Sequence, residues 1–254
     1  MIPWLAPGQP FPPVETALTY PNGLLAAGDE LTSARLREAY REGIFPWYSE
    51  GEPVLWWSTN PRMVLRPQDL RVSRSLRRRL REVVADEARE DGWQVRLDAD
   101  FPAVMRACAA PRDAQGGTWI TPAVIDAYSA LAREGNAHSV EVFHGGQLCG
   151  GLYGVSLGAA FFGESMFSLR TDASKIALAT LVRILRSEGC TVIDCQQATR
   201  HLASLGAAPI PREQFCRILR ESRDRPGLPW ERYRGRVLNG LLAPDAPGTQ
   251  DPPA

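Results

Sequence analysis

Lysine is almost missing from this chain. Lys175 is the single lysine among 254 residues, so 28 of the 29 basic side chains are arginine. Histidine is scarce, with three, none near a cysteine at ligand spacing, and the five cysteines (108, 149, 190, 195, 216) include no C-x-x-C pair. A zinc site is therefore not expected, and free thiols point to a reducing cytoplasm. Net charge is lacking too: 29 basic residues face 29 acidic ones, so no global field steers a polyanion and a nucleic-acid partner must use a local patch. Neither a P-loop nor a dinucleotide glycine fingerprint occurs, which leaves ATP and NAD without a cradle; no cofactor and no metal are expected. The first residues, Met-Ile-Pro-Trp-Leu-Ala-Pro-Gly, show neither the basic start nor the apolar stretch of a signal peptide. A charge-free run from 145 to 163 carries Gly146, Gly150, Gly154 and Gly158 at every fourth position, imitating a membrane helix-pairing motif. It is too glycine-rich and too weakly apolar to span a bilayer, and two short strands joined by turns fit it better.

What is present divides the chain into three. Residues 1–67 are rich in Pro, Gly and Trp, with one helix capped by Thr32 or Ser33 and stopped by Gly43. Residues 68–235 alternate helix and strand patterns: a helix from Ser73, a strand Trp93–Leu97, helices Phe101–Cys108 and Pro122–Glu134, three strand-like runs from His138 to Ser168, an amphipathic helix Ala173–Glu188, a strand from Thr191 and a helix near Arg212. The mixture predicts an α+β fold: a small N-terminal domain and a larger catalytic one. Residues 236–254 are expected to form a disordered Pro-rich tail, of which 243–254 in particular can bury nothing.

Three places could carry chemistry. Strand alternation puts Phe162, Glu164 and Met166 on one face, and a lone carboxylate in an apolar strand needs a cation or a donor. Glu164 is thus either a holder of a substrate cation or an arginine-paired structural acid. The same alternation puts Asp194 and Gln196 together at a strand end, where an acid and an amide could accept an amine proton and orient it; the alternative is an Asp that caps the next turn. Six arginines lie between 71 and 81 with no carboxylate inside the run. Arg74, Arg77, Arg78 and Arg81 share a face suited to a phosphate backbone, unless that face is only solvated. Trp57 and Trp119 follow loops from which an indole could stack on a base, although tryptophan more often fills a core. Cys108 and Cys195 have no neighbouring histidine and read as small buried hydrophobes.

These residues sit in blocks whose order is distinctive: Pro21-Asn-Gly-Leu-Leu-Ala, Arg41-Glu-Gly-Ile-Phe-Pro-Trp, Leu55-Trp-Trp-Ser-Thr-Asn-Pro-Arg, Gly117-Thr-Trp-Ile, Ala137-His-Ser-Val-Glu-Val, Gly150-Gly-Leu-Tyr-Gly-Val, Phe162-Gly-Glu-Ser-Met-Phe-Ser, Ala173-Ser-Lys, Asp194-Cys-Gln and Ser204-Leu-Gly-Ala. Together they resemble the leucyl/phenylalanyl-tRNA–protein transferase family. The resemblance implies a larger domain of the Gcn5-type N-acetyltransferase fold. It also implies transfer of Leu or Phe, less readily Met, from aminoacyl-tRNA to the α-amino group of proteins beginning with Arg or Lys, by aminolysis of the aminoacyl ester. The product would be marked for N-end-rule degradation. By the same resemblance Leu152, Phe161, Gly163, Met166, Leu178 and Ile193 surround the aminoacyl side chain, and Trp57 and Trp119 hold the terminal adenosine. Asp194 and Gln196 form the catalytic pair with Glu164 in the site, and the arginine helix is the tRNA-binding surface. The expected partners are aminoacyl-tRNA and acceptor proteins, with no membrane, and the chain is expected to act as a monomer. Two departures stand out: Asp29 where the family has glycine, and Asp172 where it has asparagine. A small-molecule acetyltransferase using acetyl-CoA is disfavoured because Leu169-Arg-Thr-Asp-Ala-Ser-Lys offers no glycine-rich pyrophosphate loop. A non-catalytic tRNA-binding module is disfavoured by the acid–amide pair.

Overall fold

The computed structural model describes residues 2–110 and 118–244. In chain order its elements are β1 (Trp4–Leu5), β2 (Leu24–Gly28), α1 (Ser33–Arg41), β3 (Phe45–Pro46), β4 (Leu55–Trp57), β5 (Arg62–Leu65), α2 (Arg74–Ala85), β6 (Trp93–Leu97), α3 (Phe101–Ala109), α4 (Pro122–Arg133), β7 (Ala137–His144), β8 (Gln147–Leu157), β9 (Ala160–Ser168), α5 (Ala173–Ser187), β10 (Val192–Asp194), α6 (Arg200–Ser204), β11 (Ala208–Ile210) and α7 (Arg212–Arg223). Capping sets several starts: the hydroxyls of Thr32, Ser73 and Thr121 each accept a bond from the backbone N–H three residues on.

Two sheets result. The small one has the order β1-β2-β4-β3, and the large one β11-β5-β10-β9-β8-β7-β6, giving the expected α+β class with a small N-terminal unit. The boundary moves, however. Arg62–Leu65 pairs antiparallel with β10 and β11, so part of the stretch assigned to residues 1–67 belongs to the large sheet. Helices α3 and α4, with the small domain, cover one face, where Val104, Val124, Tyr128, Tyr153 and Phe162 pack. Helices α2 and α5 cover the other, with Leu80, Ile176, Leu181, Val95 and Phe161. The glycine-rich run is β8 and the start of β9. Gly150 is bare because α5 crosses there: a Cβ would collide with Ala173. Among the described residues no helix is long and apolar enough to cross a membrane.

The tail does not begin at 236. Leu238, Asn239 and Leu242 are buried. The Leu238 N–H donates to Val95 O at 2.8 Å, Val95 N–H donates to Asn239 Oδ1 at 2.8 Å, and the Asn239 amide donates to Val83 O and Trp93 O. The segment's apolar residues, Val237, Leu238, Leu241 and Leu242, are the signal that the proline-rich stretch after them obscured. Residues 245–254 lie outside the described residues.

Both departures from the family pattern fall on left-handed backbone: Asp29 has φ 67° and Asp172 φ 68°, a region where glycine and asparagine are favoured. Each aspartate has gained a cation. Asp29 meets Arg35 at 2.7 Å, and Asp172 meets Lys175 at 2.9 Å. The lone lysine thus serves a neighbouring acid at the start of α5.

Candidate active site

Strands β9 and β10 run parallel only as far as Phe162 beside Asp194, where β10 ends. Where the two separate, a cleft of about 480 Å³ opens. Such separations beyond strand ends are where sheets receive ligands. Four consecutive residues of β9, Gly163 to Met166, line it, which no regular strand can do. The cause is a bulge. Tyr153 pairs with Ser165 and Gly154 with Gly163, leaving Glu164 without a partner on β8. An extra residue reverses the alternation beyond it. Phe162 and Phe167 therefore share the α3–α4 face while Phe161 and Met166 share the other. The expected common face of Phe162, Glu164 and Met166 is corrected accordingly.

The apolar part of the cleft takes in Leu152, Met166, Leu178 and Ile193, together with Leu65 and Leu181. Trp119, half-buried, lines it as well; the glycine loop before Trp119 lies outside the described residues. Two proposed lining residues do not reach it. Phe161 is wholly buried beneath the cleft and packs against Trp230. Trp57 sits one layer behind, its indole N–H donating to Trp47 O at 2.6 Å and its ring 5.5 Å from that of Trp47. The indole on the cleft is that of Trp47, 41% exposed, which the sequence reading did not single out.

Glu164 is surrounded by neutral donors. Tyr128 Oη donates to Oε2 and Gln196 Nε2 to Oε1, both at 3.2 Å, and Tyr128 in turn bonds the Tyr40 hydroxyl. Burial pushes the Glu164 carboxyl up to about 8, with the nearby Asp194 charge adding and the tyrosine hydroxyls and Arg62 opposing. Burial likewise holds both tyrosines far above the usual phenol range. Glu164 thus favours its uncharged form more than an ordinary carboxyl does, and among the described residues its hydrogen bonds go to neutral donors, not to the arginine considered from sequence.

Asp194 is the paired acid. It is 1% exposed and absent from the cleft wall. Its oxygens accept from Arg62 Nε at 2.8 Å and Nη2 at 2.6 Å, and Oδ1 also takes the Gln196 N–H at 3.0 Å. Asp194 thus caps the turn, the alternative read from sequence, with three hydrogen bonds reaching its carboxylate behind the cleft wall. That turn puts Gln196 at φ 53°, an arrangement costing roughly 1–2 kcal/mol for a side chain with a Cβ. Only Gln196 of the pair lines the cleft. Cys195 also lines it, and burial pushes its thiol up to about 12, far from a nucleophilic thiolate.

On α2, Arg74, Arg77 and Arg81 are exposed. Arg78 lies 3.7 Å from Glu82, just past the run, and Arg79 pairs with the same acid while covering Trp93. The segment entering α2 is pinned to the cleft wall: Arg71 N–H donates to Leu205 O, and α6, which ends there, supplies His201 and Leu202 to the cleft. No group of three or more His, Cys, Asp or Glu able to hold a metal occurs among the described residues.

An apolar chamber meeting an amide, a neutral acid and indoles suits an enzyme that holds an acyl side chain while an amine attacks it; the class is an acyltransferase. Residues 64–220 match the family model described as leucyl/phenylalanyl-tRNA protein transferase, and residues 29–60 match the N-terminal domain of that transferase. A leucyl/phenylalanyl-tRNA–protein transferase of Paraburkholderia phymatum is 56% identical over 96% of this chain and 99% of its own length. One of Burkholderia ambifaria is 57% identical over 97% of each. The chain belongs to the leucyl/phenylalanyl-tRNA–protein transferase family and is an aminoacyltransferase. Among solved structures, a GCN5-related N-acetyltransferase from Kribbella flavida matches 66% of this chain and 56% of that one, at 14% identity and a TM-score of 0.34.

Proposed function

We propose that the protein moves leucine or phenylalanine, and methionine less readily, from aminoacyl-tRNA to the α-amino group of cytoplasmic proteins that begin with Arg or Lys, so marking them for N-end-rule degradation. The α-amino nitrogen adds to the ester carbonyl, the bond to the ribose oxygen breaks, and one amine proton ends on that oxygen. The ester is already activated, so the protein's task is to position the two substrates and meet the developing charge with donors.

The observation that carries this reading is the cleft itself, where Leu152, Met166, Leu178 and Ile193 stand beside Gln196 and Glu164. An apolar chamber selects Leu and Phe by size and discriminates weakly among similar side chains. Gln196 supplies an amide at the reacting centre. Glu164 becomes a carboxylate when a cationic N-terminal residue approaches, because a nearby positive charge favours its ionised form. Trp119 and Trp47 offer faces to the terminal adenosine, and Arg74, Arg77 and Arg81 offer charge to the tRNA backbone. Incubation with Phe-tRNA and a peptide beginning with Arg should add one phenylalanine residue mass to the peptide. A peptide beginning with Ala should stay unmodified. No mass gain on the Arg peptide would overturn the reading.

A further inference from the structure

Arg62 is wholly buried and belongs to no part of the cleft wall. Its guanidinium lies between two rings, 4.8 Å from the centroid of Phe45 and 4.6 Å from that of Phe215. Every hydrogen bond its side chain makes among the described residues goes to Asp194, and Nη1 has no partner. The planar fork matches the carboxylate edge to edge, as a lysine cannot. Four elements converge on this group: β5 carries it, β10 ends in its acid, and β3 and α7 supply the rings.

Gln196 stands next in line. Asp194 Oδ1, held by Arg62 Nε, accepts the Gln196 N–H at 3.0 Å. The Gln196 carbonyl accepts from Met63 N at 3.3 Å, the residue after Arg62, and from Thr59 Oγ1 at 3.0 Å. The left-handed backbone of Gln196 is thus fixed at both its N–H and its C=O, and its amide is aimed at Glu164. A buried ion pair is replaceable by apolar residues of similar volume with little loss of stability. What apolar side chains cannot reproduce is the acceptor that holds the Gln196 turn.

We propose that Arg62 is a positioning residue of the transfer reaction: through Asp194 it sets the backbone turn that presents the Gln196 amide in the cleft. This rests on the proposed function. The test measures initial rates with Phe-tRNA and an Arg-beginning peptide for four proteins: the unsubstituted chain, Gln196→Ala, Arg62→Met combined with Asp194→Leu, and all three changes together. The paired replacement should lower kcat by about 10²-fold, as a displaced catalytic group does, while KM for aminoacyl-tRNA moves by less than about threefold. On the Gln196→Ala background the same pair should lower kcat by at most about twofold more, since groups acting as one unit are not additive. An equal loss on both backgrounds, or unaltered kcat for the pair, overturns the positioning role alone. If the paired replacement shows no cooperative thermal transition, Arg62→Lys carries the same cycle with the same two outcomes. Absence of transfer by the unsubstituted protein overturns the function and this inference together.

Discussion

Two acids stand at the same cleft in opposite company: Asp194 is buried and ion-paired, and Glu164 is half-buried among neutral donors. At the end of β10, Asp194 meets a buried guanidinium on both oxygens. At the bulge of β9, Glu164 meets only hydroxyls and an amide. Burial alone favours the neutral acid, and it prevails at Glu164, which is pushed up to about 8. The two acids differ in partner and in depth alike: one is sealed against a guanidinium, the other opens on the cleft. The ion-paired acid holds backbone in place, while Glu164, on the cleft wall, is free to change state when a cation arrives.

The largest test of that contrast is paired substitution. Asp194→Asn should leave Arg62 as an uncompensated buried charge and lower unfolding free energy by about 3–5 kcal/mol. Glu164→Gln, which imitates a neutral acid, should cost under about 1 kcal/mol near pH 6. Urea midpoints read both, and similar values for the two would erase the distinction. Next in size is the apolar end, which touches neither charge state. Leu152→Phe should overfill it and cost about 1–3 kcal/mol in transition-state free energy. The loss should be greater for phenylalanine than for leucine transfer, seen as a change in the ratio of kcat/KM. Equal losses would place Leu152 outside the side-chain chamber.

The pH dependence of stability sharpens the comparison further. Burial raises Glu164 to about 8 and Glu141 to about 7, from an ordinary 4.5. An acid raised in the folded state contributes stability that is present in full below pH 4.5. That contribution is lost as pH rises through the folded value. The melting temperature should therefore fall between pH 5 and 8, with Glu141→Gln flattening the profile up to about 7 and Glu164→Gln up to about 8. A profile unchanged by Glu164→Gln would mean that this acid is ionised in the free protein. Smallest is the effect of exposed charge. Replacing Arg74, Arg77 and Arg81 by Gln should leave folding within about 0.5 kcal/mol and reduce the salt slope of tRNA binding by about 0.7–0.9 per lost phosphate contact. An unchanged slope would show the face to be merely solvated.

Much of this was legible in the sequence for local reasons. The cap at Thr32 or Ser33, the helix starts at Ser73 and Pro122, and the strand runs announced their elements. Leu152, Met166, Leu178 and Ile193 were named through the family resemblance, and the structure brings all four to one cleft. The misses share a physical origin. The bulge at Glu164 adds one residue to an apolar run and leaves no compositional mark, yet it moves Met166 to the opposite face. Arg62 closes the Leu55–Arg62 block, but it lies 132 positions from Asp194 and nothing local names its partner. Alternation placed Asp194 and Gln196 on one face, but the left-handed turn at Gln196 breaks it, so one faces the cleft and the other the core. Trp47 and Trp57 have similar sequence surroundings, and only the β3–β4 pairing decides which indole is outermost.

The segment around Asn239 has a meaning for how the molecule meets its own kind. β6 is the last strand of the large sheet, and Leu238 and Asn239 occupy the backbone groups of Val95 that point outward from it. An open strand edge invites a strand from another copy. Here the turn at 238–242 acts as a stopper on that edge. Removal of 238–242 would expose a short ladder of unpaired amides and carbonyls beside Trp93 and open that edge to a strand of another copy.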